Sequence, residues 1–96
     1  MLFALLCEDR PDAGTLRADT RSAHLEHLKA LGSVLKFAGP FLNEAGAPEG
    51  SLLVVDAESS EAARALADAD PYAKAGLFRS VTMRRWNWTV NNPDQR

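Results

Sequence analysis

SVLKFAGPFLNEAGAPEGSLLVVD, residues 33–56, decides the fold. Ser33–Ala38 is typical of a short strand, and we expect Gly39-Pro40 to close it. Residues 43–50 are rich in Asn, Gly and Pro and predict a turn. Ser51–Asp56 is an apolar run typical of a second strand. Two such runs joined by a turn predict a hairpin, so the two strands should pair antiparallel.

A helix should precede this hairpin. We predict that it begins near Leu16 or Asp19 and ends at Leu31, with Asp19 or Thr20 as its N-terminal cap. Gly32 is a natural stop, because glycine readily takes the left-handed conformation that ends many helices.

A second helix should follow the hairpin. Its predicted span is Glu61–Ala69, with Ser59 or Ser60 as the cap. Asp70-Pro71 should end it, because a residue before proline is biased away from helical geometry. Leu77–Trp88 then predicts a long final strand.

The first strand is Met1–Cys7, which is apolar on both faces. The element order is therefore strand, helix, strand, strand, helix, strand. This order predicts an α+β fold of the ferredoxin-like βαββαβ type, a four-stranded antiparallel sheet with two helices on one face. Because helices cover one face only, we expect a second copy to cover the other and form a homodimer. The predicted domain spans residues 1–88, and residues 89–96 form a polar tail.

Composition narrows the range of partners. The 96 residues carry a net charge of −2 without a basic run. Nucleic-acid binding needs a concentrated cationic face, so it is disfavoured. Arg84 and Arg85 beside Trp86 and Trp88 form a candidate platform for stacking bases. An amphipathic final strand explains the same residues and is the preferred interpretation.

The remaining composition argues against membranes, metals and cofactors. Met1–Cys7 is too short for a membrane span and lacks the basic leader of a signal peptide, so a cytoplasmic protein is expected. Cys7 has apolar neighbours, which indicates a buried, unreactive thiol. His24 and His27 lack a third metal ligand nearby. Since no phosphate-binding glycine loop occurs either, we expect neither a metal nor an organic cofactor.

Several short motifs resemble those of one family. They are RSAHL at residues 21–25, Gly32, Gly39-Pro40, Gly50-Ser51, DADPY at residues 68–72 and AGL at residues 75–77. Their order and spacing resemble the YciI-like (YCII-related) family, up to about Arg85. The resemblance implies a dimeric α/β barrel and an active site built on a His–Asp pair. The family is similar to muconolactone isomerases, and a relative that dehydrochlorinates a chlorinated hydroxyhydroquinone uses such a pair.

The resemblance makes His24 and Asp70 the catalytic candidates. Imidazole titrates near neutral pH, so it can move protons in either direction. Asp70 has a second interpretation as a helix-ending residue before proline, and the two roles can coexist. Arg21, one turn before His24, is predicted to bind an anionic substrate oxygen or to hold Asp70. The alternative for Arg21 is a surface ion pair with Glu8 or Asp9.

Ser51, at the start of its strand, is the second substrate-binding candidate. The resemblance implies an enzyme in which these residues perform acid/base chemistry on a small cyclic or aromatic acid or a lactone. Its reaction would be an isomerisation, an elimination or a dehydrochlorination. The alternative is a non-catalytic protein that binds a small molecule or serves as an accessory subunit.

Overall fold

A computed structural model describes residues 1–95 and the side chains of residues 1–94. Its sheet has four strands in the order β2-β3-β1-β4, and all neighbouring strands run antiparallel. This architecture confirms the predicted ferredoxin-like α+β fold. Its elements are β1 (Leu2–Asp9), α1 (Leu16–Leu31), β2 (Leu35–Leu42), β3 (Pro48–Asp56), α2 (Ser60–Ala69), the one-turn helix α3 (Pro71–Lys74) and β4 (Phe78–Trp86).

The prediction that Gly39-Pro40 closes the second strand is wrong. Gly32–Val34 form a 3-10 turn, and β2 then runs through Gly39-Pro40 to Leu42. Pro40 is tolerated because β2 is an edge strand, where a missing backbone N–H need not break the sheet. Two other strand boundaries also differ from the prediction. β3 begins at Pro48 instead of Ser51, and β4 ends at Trp86 instead of Trp88.

The predicted caps of α1 are also wrong. Thr15 occupies the cap position without a side-chain cap bond, and its hydroxyl instead donates to the Asp19 carboxylate at 2.9 Å. Asp19 lies in the first turn, where a negative charge favours the helix dipole. Gly32 ends the helix as predicted, with a φ of +56° that other residues rarely adopt.

The junction between α2 and α3 brings Asp70 into position. Ser59 caps α2 as predicted, because its hydroxyl accepts a hydrogen bond from the Ala62 amide at 3.1 Å. Asp70 leaves helical geometry before Pro71, and its carboxylate accepts the Tyr72 amide at 2.9 Å. One residue therefore ends α2 and caps α3.

The core lies between the sheet and the helices. Its buried side chains come from alternate positions of β1 and β3 and from one face of α2: Phe3, Leu5, Cys7, Leu53, Val55, Ala63 and Ala67. The other face of the sheet is less covered. Phe37, Phe41 and Trp86 project from it with 36–39% of their surface exposed. The β1 positions on this face, Leu2, Ala4 and Leu6, are apolar, as the sequence predicted.

Part of residues 89–96, predicted to be a polar tail, is ordered against the sheet. Pro93–Gln95 form a 3-10 turn, and Asp94 pairs with Lys36 at 3.6 Å. Just before the tail, the Trp88 ring meets the Phe37 ring edge-on, with 5.0 Å between centroids. Arg84 and Arg85 occupy successive positions of β4, so their side chains lie on opposite faces. Arg84 therefore shares a face of β4 with Trp86, and Arg85 lies on the other face.

Candidate active site

His24 is the one side chain of α1 that is buried, at 8% exposure. Its Nδ1 atom lies 2.9 Å from Oδ1 and 3.1 Å from Oδ2 of Asp70. The two residues are 46 positions apart in the chain, and the packing of α1 against α3 brings them together. The sequence alone left this contact open, and the structure establishes it.

Asp70 is held from two sides. Besides His24, its carboxylate accepts the Tyr72 amide through the cap of α3, and the residue is 2% exposed. An ionised carboxylate can only accept hydrogen bonds, so pairing with it requires Nδ1 of His24 to carry the proton. The lone pair of the neutral imidazole then lies on Nε2, which is the atom that can act as a base.

The Tyr72 ring lies almost flat against the imidazole of His24. The centroids are 4.0 Å apart and the planes are inclined by 16°. Tyr72 is 1% exposed, and burial raises the pKa of its phenol, although the nearby Arg17 and Arg21 charges lower it. The histidine is therefore positioned by a hydrogen bond at one nitrogen and by a stacked ring on one face.

His24 borders a cavity of about 590 Å³ between α1 and the strands β2 and β3. This volume suits a small-molecule ligand. The apolar part of its lining includes Leu25, Leu28, Ala38, Pro40, Leu52 and Leu53. The polar side chains that line it are those of Thr15, Arg17, Arg21, His24, Ser51 and Tyr72.

Arg21 and Ser51, the predicted substrate-binding residues, both line this cavity. Arg21 is exposed, and the surface ion pair considered for it is absent among the described side chains. The carboxylates considered for that ion pair bind other arginines instead: Asp9 pairs with Arg17, and Glu8 pairs with Arg79. Asp70 likewise contacts His24 rather than Arg21.

Arg17 is the site residue that sequence reasoning missed. Its Nε and Nη2 atoms donate to the two carboxylate oxygens of Asp9 at 2.7 and 2.8 Å. Nη2 also donates to the Ser51 hydroxyl at 3.0 Å. The available signal was its spacing, because Arg17, Arg21 and His24 follow one another at steps of four and three and so share a helix face.

Cys7 is buried next to this network, as predicted. Burial, reinforced by the negative charge of Asp70, raises the pKa of its thiol to about 12. At neutral pH the group is a protonated thiol, which is a poor nucleophile. Within residues 1–94, no cluster of three or more His, Cys, Asp or Glu side chains has a metal-binding arrangement. No helix in the described part of the chain is long and apolar enough to span a membrane.

The fold and the site together define a ferredoxin-like α+β protein with a buried His–Asp pair on the wall of a small cavity. A family model, the YCII-related domain, matches residues 1–87. The chain belongs to this family, as its motifs predicted. Protein YciI from Escherichia coli O6:H1 is 39% identical over 93 residues, covering 88% of this chain and 94% of that protein. Protein YciI from Shigella flexneri matches with the same identity and coverage.

Solved structures share the fold. The 5-chloro-2-hydroxyhydroquinone dehydrochlorinase from Burkholderia phenoliruptrix, in complex with 2,5-dihydroxybenzoquinone, has a TM-score of 0.84 and 33% identity. The match covers 96% of this chain and 99% of the enzyme. Rv0793 from Mycobacterium tuberculosis has a TM-score of 0.57 at 13% identity, with 94% of this chain and 97% of that chain covered, and supports the fold alone.

Proposed function

We propose that this protein is a cofactor-independent enzyme that moves protons on a small cyclic or aromatic acid or a lactone. His24 is its general acid/base, and the Asp70 carboxylate orients the imidazole through its contact with Nδ1. The observation that carries this proposal is the Nδ1–carboxylate contact of 2.9 Å at the wall of a cavity. A buried histidine with that partner and an accessible ligand space has the geometry of a proton-transfer site.

The contact at Nδ1 leaves Nε2 of His24 as the ring nitrogen that exchanges a proton with the ligand. Nε2 of His24 accepts a proton from a hydroxyl group or an acidic C–H of the ligand, and the imidazolium formed is stabilised by the Asp70 carboxylate. In an isomerisation the proton returns to a different atom. In an elimination or dehydrochlorination, the electrons released by deprotonation expel the leaving group.

The cavity wall favours a ring bearing an anionic oxygen. Its apolar side accommodates the faces of a ring, while the exposed guanidinium of Arg21 binds a carboxylate or phenolate. Ser51 is 3% exposed and its hydroxyl accepts from Arg17, so it adds a fixed polar group beside the ligand space. The similarity to a dehydrochlorinase solved with 2,5-dihydroxybenzoquinone supports the same ligand class.

The test combines binding with turnover. Chloride release from 5-chloro-2-hydroxyhydroquinone, and the conversion of a panel of lactones and aromatic acids, are measured for the wild type, His24→Gln and His27→Gln. His27 lies one turn from His24 on α1 and serves as the matched control. We expect turnover in the wild type and in His27→Gln, and at least a ~100-fold loss in His24→Gln.

A different outcome would favour the alternative function. Saturable binding of 2,5-dihydroxybenzoquinone or a panel compound, without conversion of any of them, would make the protein a binding or accessory protein. Absence of both binding and turnover would refute the His24 site.

We also propose that the protein acts as a homodimer in the cytoplasm, with the open sheet face as the interface. Phe37, Phe41 and Trp86 leave apolar surface on that face, which a second sheet would bury. Light scattering after size exclusion should give the mass of two chains. Phe41→Arg should give the mass of one chain with an unchanged circular dichroism spectrum.

A further inference from the structure

Arg17 is held in one orientation. Its guanidinium binds Asp9 through two parallel hydrogen bonds of 2.7 and 2.8 Å and donates a third, of 3.0 Å, to Ser51. The pair is mostly enclosed, with side-chain exposures of 16% for Arg17 and 11% for Asp9. Two-point contact with a carboxylate fixes the plane of a guanidinium as well as its position. Both partners belong to the sheet, because Asp9 ends β1 and Ser51 lies in β3.

The guanidinium in turn lies over an aromatic ring. Its Cζ atom is 4.7 Å from the centroid of Tyr72, within the range of a cation–π contact. The Tyr72 ring also stacks on His24, with the centroids 4.0 Å apart. Arg17 and His24 are seven residues apart on α1, which is about 10.5 Å along the helix axis. That spacing leaves room for one aromatic ring between the two side chains.

The hydrogen bond to Asp70 does not by itself fix the imidazole. A bond at Nδ1 sets the position of one ring atom, but the ring can still tilt about that bond. The stacked Tyr72 ring restricts this tilt, since the two planes are inclined by 16°. Tyr72 restricts His24 only if its own ring is held. Phe78 meets the Tyr72 ring edge-on, with 6.0 Å between the centroids, and the Arg17 guanidinium lies over its face.

We propose that Arg17 is a positioning residue: clamped to the sheet by Asp9 and Ser51, it holds the Tyr72 ring, and this ring sets the plane of the His24 imidazole. The role in catalysis rests on the function proposed above. The positioning itself is a property of the folded protein and can be measured without a substrate.

The experiment reads the imidazole ring protons of His24 by NMR. Stacking on an aromatic ring shifts these resonances, and His27 provides an internal reference because the chain has two histidines. In Arg17→Met, the His24 resonances should move toward those of His27. Arg79→Met should leave them in place, because it breaks a comparable ion pair, with Glu8, at an exposed position away from His24.

Further variants separate charge from geometry. Arg17→Lys retains the charge but lacks the planar fork, so it should restore the His24 resonances only partly. Asp9→Asn weakens the clamp while keeping Arg17, and it should move the resonances in the same direction by less. If Arg17→Met does not fold, Asp9→Asn provides the test of the proposal in its place.

Turnover supplies the second readout. With 5-chloro-2-hydroxyhydroquinone as the probe, kcat of Arg17→Met should fall on the order of tenfold to a hundredfold, with a smaller change in KM. Unchanged His24 resonances in folded Arg17→Met or Asp9→Asn would overturn the proposal, whatever the activity. If the wild type converts no compound, the proposed function fails, while the NMR result still decides whether Arg17 positions His24.

Discussion

Alkaline pH should destabilise this protein through one buried thiol. Burial and the Asp70 charge raise the pKa of Cys7 from 9.0 to about 12. In the unfolded chain the thiol ionises near its ordinary value, whereas in the folded chain it stays protonated. A group whose pKa is raised by folding contributes its full stabilisation below the unfolded pKa, and that stabilisation falls away as the pH rises above it. The loss should therefore begin near pH 9 and continue to about pH 12.

The size of the loss follows from the shift. Each pH unit within this window costs about 1.4 kcal/mol, so the linkage predicts about 1 kcal/mol near pH 10 and about 3 kcal/mol near pH 11. A domain of this size has a total stability of roughly 5–15 kcal/mol, which makes the effect readily measurable. The thiol is 2% exposed, so solvent screening reduces the effect little.

The assay is urea unfolding at pH 8, 10 and 11, followed by tryptophan fluorescence with a reductant present. Cys7→Ala is the comparison, because it removes the titrating thiol and leaves every other ionisable group. The variant should be less stable at pH 8 through lost packing, and its free energy of unfolding should decline less steeply with pH. Parallel curves for the two proteins would refute the reasoning.

Three further predictions concern packing, capping and ionisation. In Gly50→Ala the new Cβ would lie 2.5 Å from the Cys7 carbonyl oxygen, so urea unfolding should give a loss of about 1–3 kcal/mol, whereas Gly39→Ala, with no atom within 4 Å, should change little. Ser59→Ala should cost about 1 kcal/mol by removing the α2 cap, and Ser60→Ala, which lacks that bond, is its control. The single tyrosine allows its phenolate absorbance to be followed during an alkaline titration. Because Arg17 lowers the pKa of Tyr72 against the effect of burial, Arg17→Met should raise that pKa further, and an unchanged titration would contradict the contact.

Local patterns predicted the fold because each element carries its own signal. The apolar runs of β1 and β3, the glycine after α1 and the serine before α2 each act within a few residues of the chain. The predicted end of β2 at Gly39-Pro40 was wrong because it depended on the whole fold. Whether a proline ends a strand depends on whether that strand lies at the edge of the sheet, and the strand order is a property of the whole fold.

The site was predictable only in part. The motifs around His24 and Asp70 identified two candidates, but their contact depends on α1 and α3 packing on the same face of the sheet. Arg17 shows the limit more clearly. Its helical spacing to Arg21 and His24 was visible, yet its clamp requires Asp9 at the end of β1 and Ser51 in β3. These partners are 8 and 34 residues from Arg17 in the chain, and only the tertiary fold brings them into contact with it.

Asp70 illustrates why the structural and functional interpretations of one residue need not compete. As a cap, its carboxylate must face the amides that begin α3, and it accepts that of Tyr72. As the partner of His24, the same carboxylate must be fixed in place, and the hydrogen bond from the Tyr72 amide fixes it. The cap also fixes where α3 starts, and therefore where the Tyr72 ring meets His24. A turn that ends one helix thus supplies both the acceptor for Nδ1 and the ring beneath the imidazole, so changes to the cap should alter the geometry of the proposed site as well as the stability.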